Sequence, residues 1–161
     1  MNCAYLLTGS NLNDPETQVG TAFHLIEEHC GKIVSASALY GSAPWGIRDQ
    51  PEFINQAICL ETNVSAAILL KQILAIEKEM GRERLFKMGP RIIDIDILLF
   101  NKEIIDEPGL TVPHPLLSQR RFALEPLAEI APSLVHPVCG KDIQTILEEC
   151  TDPLNVYKFS K

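Results

Sequence analysis

The sequence predicts one α+β domain, and its length, its element order and its lack of internal division support that prediction. The chain has 161 residues, the usual size of a single domain. Its apolar runs and amphipathic stretches follow one another in the order β-α-β-β-α-β. No repeat, low-complexity segment or linker divides the sequence 1–161. This order is typical of a ferredoxin-like antiparallel sheet with its helices on one face, followed here by a C-terminal extension.

The first half of the chain contains three predicted strands and one predicted helix. Apolar or alternating runs predict the strands, at 3–8, 32–40 and 53–62. The helix is predicted to begin at Asp14–Pro15, because an N-cap residue followed by proline is a helix-start signal, and to end at Gly31. A stretch containing Pro and Gly at 41–52 predicts a long loop between the second and third strands.

The second half contains one more amphipathic helix and the strongest strand signal. Ser65 is predicted to cap this helix, and Gly81 is predicted to end it. After a basic loop, the run RIIDIDILLF predicts a strand at 91–100. Beyond it the chain is rich in proline and turns, and short helices are predicted near 123–130 and 142–150.

The composition indicates which partners the protein has. The net charge of −7 argues against general nucleic-acid binding, which requires a basic surface. No apolar run approaches the ~20 residues of a membrane span, and the N-terminus does not resemble a signal peptide. The five cysteines show no C-x-x-C spacing, as expected in a reducing compartment. We therefore expect a cytoplasmic protein with small-molecule partners and neither nucleic-acid nor membrane partners.

Two aspartates in the last predicted strand point to the same side of the sheet. Side chains alternate along a strand, so Asp94 and Asp96 share one face while Ile95 lies on the other. Two carboxylates this close repel each other unless a cation lies between them, and such hard oxygen ligands suit Mg²⁺ completed by phosphates. The alternative is a solvent-facing strand whose acids pair with surface lysines.

Basic residues concentrate just before this strand. Five of the fourteen Lys and Arg residues lie there, namely Lys78, Arg82, Arg84, Lys87 and Arg91. Arginines and metal carboxylates converge where polyphosphate is bound, because both neutralise the phosphate charge. Gly81 and Gly89 bracket the loop, which predicts a lid that closes over phosphates. An ordinary solvated loop is the alternative.

The third predicted strand presents an aromatic ring and an amide on one face. Phe53 and Asn55 suit a flat heterocycle, because the ring stacks and the amide binds its edge. A core Phe beside a hydrogen-bonded Asn is the alternative. His114 lies between two prolines and can donate to a phosphate, although a lone histidine is more often structural. The sequence contains no P-loop, so any use of ATP needs another type of site.

Six segments together resemble one family of enzymes. In chain order they are GSNL (9–12), DQPEFIN (49–55), GR (81–82), GPRIIDIDILLF (89–100), LTVPHP (110–115) and RRFALEPLAEIAP (120–132). The set is similar to the 6-hydroxymethyl-7,8-dihydropterin pyrophosphokinases over nearly the whole chain. The resemblance implies the ferredoxin-like fold and transfer of pyrophosphate from ATP to 6-hydroxymethyl-7,8-dihydropterin in folate biosynthesis, with release of AMP.

The resemblance also implies a role for each matching position. Two Mg²⁺ ions would bridge ATP and the pterin alcohol, held by Asp94 and Asp96. The residues implied in catalysis are Arg82, Arg91, Asp94 and Asp96. Those implied in ATP binding are Glu77, Arg84, Ile97, Thr111, His114 and Arg120. Those implied in pterin binding are Ser42, Ala43, Trp45, Phe53, Asn55 and Phe122, with the two phenylalanines on either side of the ring.

Some positions depart from the pattern of this family. Gly109 stands where some members carry an arginine, Leu74 where a glutamine can occur, and Lys87–Met88 where Arg-Trp can occur. Arg121 is a candidate to replace a lost cation, and a surface role is the alternative.

The residues alone leave two other functions open. One is a non-catalytic, ferredoxin-like module that senses a nucleotide, and the other is a nucleotidyltransferase that acts on a sugar. The aspartate pair beside a basic loop disfavours a sensor, which has no need of metal carboxylates. The set Phe53, Asn55 and Phe122 favours a flat heterocyclic acceptor over a sugar.

Overall fold

The described residues form a six-stranded sheet, a two-stranded hairpin and four α-helices. The structure is a computed structural model that describes residues 1–44, 50–81 and 91–159. The strands are β1 (Asn2–Ser10), β2 (Lys32–Ala36), β3 (Tyr40–Ser42), β4 (Phe53–Thr62), β5 (Asp94–Phe100), β6 (Ile105–Glu107), β7 (Leu110–Val112) and β8 (Val156–Lys158). The helices are α1 (Pro15–His29), α2 (Ala66–Glu79), α3 (Arg121–Ile130) and α4 (Ile143–Glu149). No helix among the described residues is long and apolar enough to cross a bilayer.

The main sheet has the strand order β5-β1-β4-β3-β8, and β2 pairs with β4 beside β3. All of these pairs are antiparallel. β4 is ten residues long, so its outer edge pairs with β3 over residues 53–55 and with β2 over residues 58–61. β5 and β4 therefore flank β1, and these three strands form the centre of the site described below.

The predicted strand 32–40 is interrupted, because β2 ends at Ala36 and β3 begins at Tyr40. The cause lies at Ser37, whose hydroxyl accepts the backbone N–H of Ala57 at 3.0 Å. In a regular ladder this N–H would bond to a backbone carbonyl of the neighbouring strand. Here the Ser37 hydroxyl takes the place of that carbonyl, so the ladder is interrupted. The prediction of one continuous strand is wrong at this point.

The start of β5 also differs from the prediction of a strand over 91–100. β5 begins at Asp94, because the backbone of Arg91 bonds to Asn11 instead. The Arg91 N–H donates to Asn11 Oδ1 at 2.9 Å, and the Arg91 carbonyl accepts the Asn11 N–H at 3.2 Å. This exchange connects Arg91, the first residue of the described segment 91–159, to the residue that follows β1.

A β-bulge interrupts the alternation of β5. Ile97 lies opposite Leu6 and Leu99 lies opposite Tyr5, so Leu98 is the extra residue. As a result, Leu98 and Leu99 both pack in the same apolar cluster. Strict alternation, which the sequence analysis assumed, places them on opposite faces.

Helices cover both faces of the sheet. Ile26 of α1 and Ile73 of α2 pack with Leu6 on one side. On the other side Leu124 of α3 packs with Leu7, and α4 belongs to the same cluster. The prediction of helices on one face therefore holds for α1 and α2, whereas the C-terminal extension covers the opposite face. Burial of these apolar side chains is the main source of stability on both sides.

Both predicted helix starts are confirmed. α2 follows Ser65, whose hydroxyl accepts the Ile68 N–H at 3.3 Å. α1 follows Asp14, which has a φ of 63°. Its carboxylate accepts the hydroxyl of Thr17 at 2.7 Å instead of a backbone N–H of the first turn.

Candidate active site

Three neighbouring strands bring polar residues together on the α3/α4 face of the sheet. Asn55 of β4 lies opposite Gly9 of β1, and Gly9 lies opposite Asp94 of β5. One step along, Asp96 lies opposite Leu7, which belongs to the apolar cluster beneath α3. We call Asn55, Asp94 and Asp96 the polar row. It begins where the apolar packing beneath α3 ends.

A cavity of about 500 Å³ lies over this polar row. Its walls come from β1, β3, β4 and β5, from α2 and from residues 116–122. Leu70 and Leu74 of α2 add an apolar portion. The cavity brings together ten residues of the predicted site: Ser42, Ala43, Phe53, Asn55, Glu77, Arg91, Asp94, Asp96, Arg120 and Phe122.

Three predicted ATP-binding residues do not line this cavity within the described part of the chain. Ile97 is 6% exposed and packs in the α1/α2 cluster, and Thr111 is exposed on β7. The backbone N–H of His114 donates to the Leu98 carbonyl at 2.9 Å, and its Nδ1 accepts the Leu116 N–H at 3.2 Å. The contacts of these three residues with ATP stay predictions.

Three other predicted site residues lie outside the described residues. They are Trp45, Arg82 and Arg84. The lid predicted from the basic loop 82–90, including Lys87 and Met88, falls in the same category.

Arg121 holds the C-terminal segment. Its Nη2 donates to the Cys150 carbonyl at 2.8 Å, and its Nε donates to the Asp152 carbonyl at 3.1 Å. Its backbone N–H also donates to Asp152 Oδ2 at 3.0 Å. These contacts give Arg121 a structural role, which is neither of the two roles considered from the sequence.

The surroundings of Asp96 raise the pKa of its carboxyl group to about 7. Burial is the largest cause and the charge of Asp94 is the second, while Arg120 and Arg91 act in the opposite direction. Asp94 itself forms an ion pair, with its Oδ2 atom 2.8 Å from Arg91 Nη1. A bound cation would favour the ionised form of Asp96, so the pair is electrostatically suited to a cation.

The chemistry of this carboxylate pair fits Mg²⁺ together with a phosphate ligand. Within residues 1–44, 50–81 and 91–159, no group of three or more His, Cys, Asp or Glu side chains is arranged to hold a metal. One or two carboxylates are what Mg²⁺ commonly takes from a protein when waters and substrate phosphates supply the remaining ligands. Asp94 and Asp96 therefore match that pattern.

Each phenylalanine of the cavity contacts an arginine. Arg91 Cζ lies 5.4 Å from the centre of the Phe53 ring, and Arg120 Cζ lies 5.5 Å from the centre of the Phe122 ring. Both distances are within cation–π range. Because the charges of the same arginines also act on Asp96, the aromatic part of the cavity is adjacent to its charged part.

Asn55 is held in a buried position beside Gly9. Its side chain is 3% exposed, and its Nδ2 donates to the hydroxyl of Ser42 at 3.2 Å. A Cβ atom at position 9 would overlap Asn55 Oδ1. A side chain at position 9 would therefore displace the Asn55 amide, a role of Gly9 that the sequence analysis missed.

Asn11 is a second residue whose role the sequence analysis missed. It is 2% exposed, and its Nδ2 donates to Gln50 Oε1 at 2.9 Å and to the Pro51 carbonyl at 3.0 Å. Its Oδ1 accepts the Arg91 N–H. Asn11 thus connects the segment before β4 to the segment before β5, and only the structure brings these partners together.

The fold and the cavity define a class: a mixed α/β domain whose cavity places two phenylalanine rings beside a group of aspartates and arginines. Comparison with known proteins identifies the family. Residues 5–132 match the family model described as 7,8-dihydro-6-hydroxymethylpterin-pyrophosphokinase, or HPPK. The match covers well over half of the chain, so the chain belongs to the HPPK family. The resemblance predicted from the sequence is confirmed.

Named relatives agree with this assignment. The 2-amino-4-hydroxy-6-hydroxymethyldihydropteridine pyrophosphokinase of Pseudomonas aeruginosa is 42% identical over 147 residues, 91% of this chain and 90% of the relative. The protein of the same name in Aquifex aeolicus is 40% identical over 151 residues, 94% of each chain. A folic acid synthesis protein of Dictyostelium discoideum is 43% identical over 136 residues, 84% of this chain and 20% of the relative. The predicted function class, a pyrophosphokinase of folate synthesis, is confirmed.

Solved structures share the fold. Plasmodium falciparum HPPK-DHPS with STZ-DHP superposes with a TM-score of 0.77 at 20% identity, covering 92% of this chain and 43% of that chain. The same protein with pteroate gives a TM-score of 0.78. This similarity supports a mixed α/β domain with an antiparallel sheet.

Proposed function

We propose that the chain transfers the pyrophosphoryl group of ATP to the hydroxymethyl oxygen of 6-hydroxymethyl-7,8-dihydropterin, with release of AMP, in a Mg²⁺-dependent reaction. The observation that carries the proposal is the cavity that joins the Asp94–Asp96 pair to the rings of Phe53 and Phe122. A site of this composition accommodates a flat acceptor beside a polyphosphate donor. Family membership supports the same reaction.

The aromatic part of the cavity binds the acceptor in this proposal. Phe53 and Phe122 offer apolar ring faces for stacking, and about 500 Å³ is within the usual range for a small-molecule pocket. Asn55 binds the edge of the pterin, since its amide has a second N–H besides the one donated to Ser42. Ser42 and Ala43 complete this end of the site.

The charged part binds the phosphates. Arg91 and Arg120 supply positive charge next to the aspartates, and guanidinium groups match phosphate oxygens well. Phosphoryl transfer has a loose transition state, so the protein contributes mainly by positioning the reactants and stabilising charge. When bound, Mg²⁺ held by Asp94 and Asp96 would neutralise part of the phosphate charge.

The remaining predicted residues keep their roles as part of the proposal. Burial, and next the charge of Arg120, lower the pKa of His114 to about 4, so its imidazole is neutral at pH 7. Because Nδ1 accepts the Leu116 N–H, the ring proton lies on Nε2, which can donate to a phosphate oxygen. The other proposed contacts to ATP or to the transferred group come from Arg82, Arg84, Ile97 and Thr111, and Trp45 is proposed to border the pterin.

We also propose that the sheet is ferredoxin-like and that the protein is cytoplasmic. The antiparallel order β5-β1-β4-β2, with α1 and α2 packed in one cluster, supports the first proposal. The free thiols of the described cysteines are consistent with a reducing compartment. A net charge of −7 supports small-molecule partners over nucleic acid.

The test is the identity of the nucleotide product. The protein is incubated with ATP, Mg²⁺ and 6-hydroxymethyl-7,8-dihydropterin, and AMP and ADP are separated by chromatography. The proposal predicts AMP in a one-to-one ratio with pterin pyrophosphate, and no AMP when either Mg²⁺ or the pterin is omitted. Formation of ADP would contradict it. Binding of ATP without any turnover would instead favour the nucleotide-sensing alternative.

A further inference from the structure

Glu77 makes a contact with β5 that the proposed reaction does not explain. It lies in the last turn of α2 and is 5% exposed. Its Oε2 atom accepts the backbone N–H of Ile95 at 2.8 Å. Ile95 is the one residue between Asp94 and Asp96, so this carboxylate binds a peptide N–H that lies between the two aspartates in the chain.

The position of β5 in the sheet explains why this N–H needs an acceptor. β5 is the terminal strand of the described sheet, and its ladder partner is β1. An edge strand has backbone groups that no neighbouring strand can bond. Ile95 is 5% exposed and packs in the α1/α2 cluster, so water is a poor substitute. A buried N–H without an acceptor is unfavourable, and Glu77 removes that cost.

We propose that Glu77 is a positioning residue, which fixes the first residues of β5 and thereby the spacing and direction of the Asp94 and Asp96 carboxylates. The inference rests on the proposed function, since it assigns those carboxylates to metal and phosphate. Asp94 is the first residue of β5, so the strand has little ladder before the site to hold it in place. The bond to Ile95 supplies that restraint from the helix side.

This role differs from the ATP contact that the family resemblance implies, and the difference can be measured. A positioning role needs an acceptor oxygen, whereas a direct ionic role needs the negative charge. Glu77→Gln keeps an amide oxygen that can accept the Ile95 N–H but removes the charge. Glu77→Ala removes both. The two substitutions therefore separate the acceptor from the charge.

The experiment compares Glu77→Ala, Glu77→Gln and the matched control Glu79→Ala, an exposed glutamate in the same helical turn. Three quantities are measured on the full chain: kcat, Mg²⁺ affinity without ATP, and hydrogen exchange of the Ile95 amide in the metal-free protein. Glu77→Ala is expected to lose ~10- to 100-fold in kcat and in Mg²⁺ affinity, as for other residues that orient metal ligands, and to lose protection of the Ile95 amide. Glu79→Ala is expected to keep all three, and Glu77→Gln is expected to keep the protection of the Ile95 amide and a Mg²⁺ affinity close to that of the wild type.

Several outcomes would overturn the proposal. Equal loss of turnover in Glu77→Gln and Glu77→Ala, with the Ile95 amide still protected in Glu77→Gln, would assign Glu77 a direct ionic role. Loss of Ile95 protection in Glu77→Ala with unchanged kcat and Mg²⁺ affinity would show that the hydrogen bond between Ile95 and Glu77 only stabilises the fold and does not position the aspartates. If Glu77→Ala does not fold, Glu77→Gln decides, because a loss of Mg²⁺ affinity with the Ile95 amide still protected contradicts the proposal and a retained Mg²⁺ affinity supports it.

Failure of the proposed reaction would be recognised separately. Ile95 exchange and Mg²⁺ affinity are measured without ATP, so they report on positioning even if the wild-type chain forms no AMP. Wild-type turnover with unaltered Ile95 exchange and Mg²⁺ affinity in Glu77→Ala would leave the reaction standing and remove the role of Glu77.

Discussion

The two sides of β5 show how one strand serves two purposes. Ile95 and Ile97 are 5% and 6% exposed and pack with α1 and α2. Asp94 and Asp96 alternate with them and carry the carboxylates of the cavity, whose lining Ile95 also reaches. Helices α1 and α2 cover the apolar side. On the polar side, α3 packs on the part of the sheet that contains Leu7. The contrast teaches that stability and chemistry depend on different side chains of the same strand, so substitutions should separate them.

The largest expected effect is on the polar side. Asp94→Asn and Asp96→Asn should each lower turnover by at least about 100-fold, as loss of a key electrostatic group does at other active sites. Without metal, the free energy of unfolding should be unchanged or higher for Asp96→Asn, which removes one of two repelling carboxylates, whereas Asp94→Asn also loses the ion pair with Arg91. AMP formation and urea unfolding measure the two quantities. Near-normal turnover at ordinary Mg²⁺ concentrations would break the comparison.

The opposite pattern is expected on the apolar side. Ile73 of α2 is 0% exposed, and Ile73→Ala should lower the free energy of unfolding by about 2–5 kcal/mol. The kcat of the folded molecules should stay close to that of the wild type, since Ile73 does not reach the cavity walls in the described structure. Ile73→Val is the control, with an expected loss of about 0.5–1.5 kcal/mol. A large change in kcat with little change in stability would contradict the separation of the two sides.

Asn11 sharpens the comparison because its hydrogen bonds are expected to affect both the stability of the protein and the activity of the site. Asn11→Ala leaves the Arg91 N–H without its side-chain acceptor, which should cost about 1–3 kcal/mol of stability. It should also lower kcat, because Arg91 and the segment before β4 lose their common anchor. Urea unfolding and steady-state rates test both effects. Asn63→Ala, at an exposed position, is the control, and an equal response of the two variants would remove the anchoring role.

A pH dependence of stability is also expected in the metal-free protein. The pKa of Asp96 is raised from 3.8 to about 7, first by burial and then by Asp94. A raised pKa in the folded state means that stability is lost as the pH rises from about 4 through 7. Asp96→Asn removes this loss, so its Tm should exceed that of the wild type more at pH 8 than at pH 4.5. Each kcal/mol corresponds to about 2–4 °C. A Tm difference independent of pH would contradict the assignment.

Local pattern was enough to predict the elements that carry the polar row. Alternation placed Asp94 and Asp96 on one face and Phe53 and Asn55 on one face, and the cavity brings both pairs together. The Asp14 and Ser65 signals located two helix starts. These features depend on neighbours in the sequence, which a single chain shows directly.

The features that pattern missed depend on contacts between distant segments. The bulge at Leu98 arises from the register between β5 and β1, and the strand break at Ser37 arises from its bond to Ala57. Asn11 acquires its role from Arg91, 80 residues away in the chain. The hairpin of β6 and β7 and the short strand β8 were missed because three-residue strands carry too little periodicity.

The most direct test of this account is the titration of the Asp96 carboxyl group. It is followed by ¹³C NMR in protein labelled at aspartate, with Asp96→Asn to assign the signal. The account predicts a midpoint of about 7 without metal, because of burial and the neighbouring Asp94. The midpoint should fall when Mg²⁺ and a non-hydrolysable ATP analogue are added, because a cation favours the ionised form. A midpoint near 4 that does not respond to Mg²⁺ and the analogue would contradict the claim that this side of β5 is built for a cation.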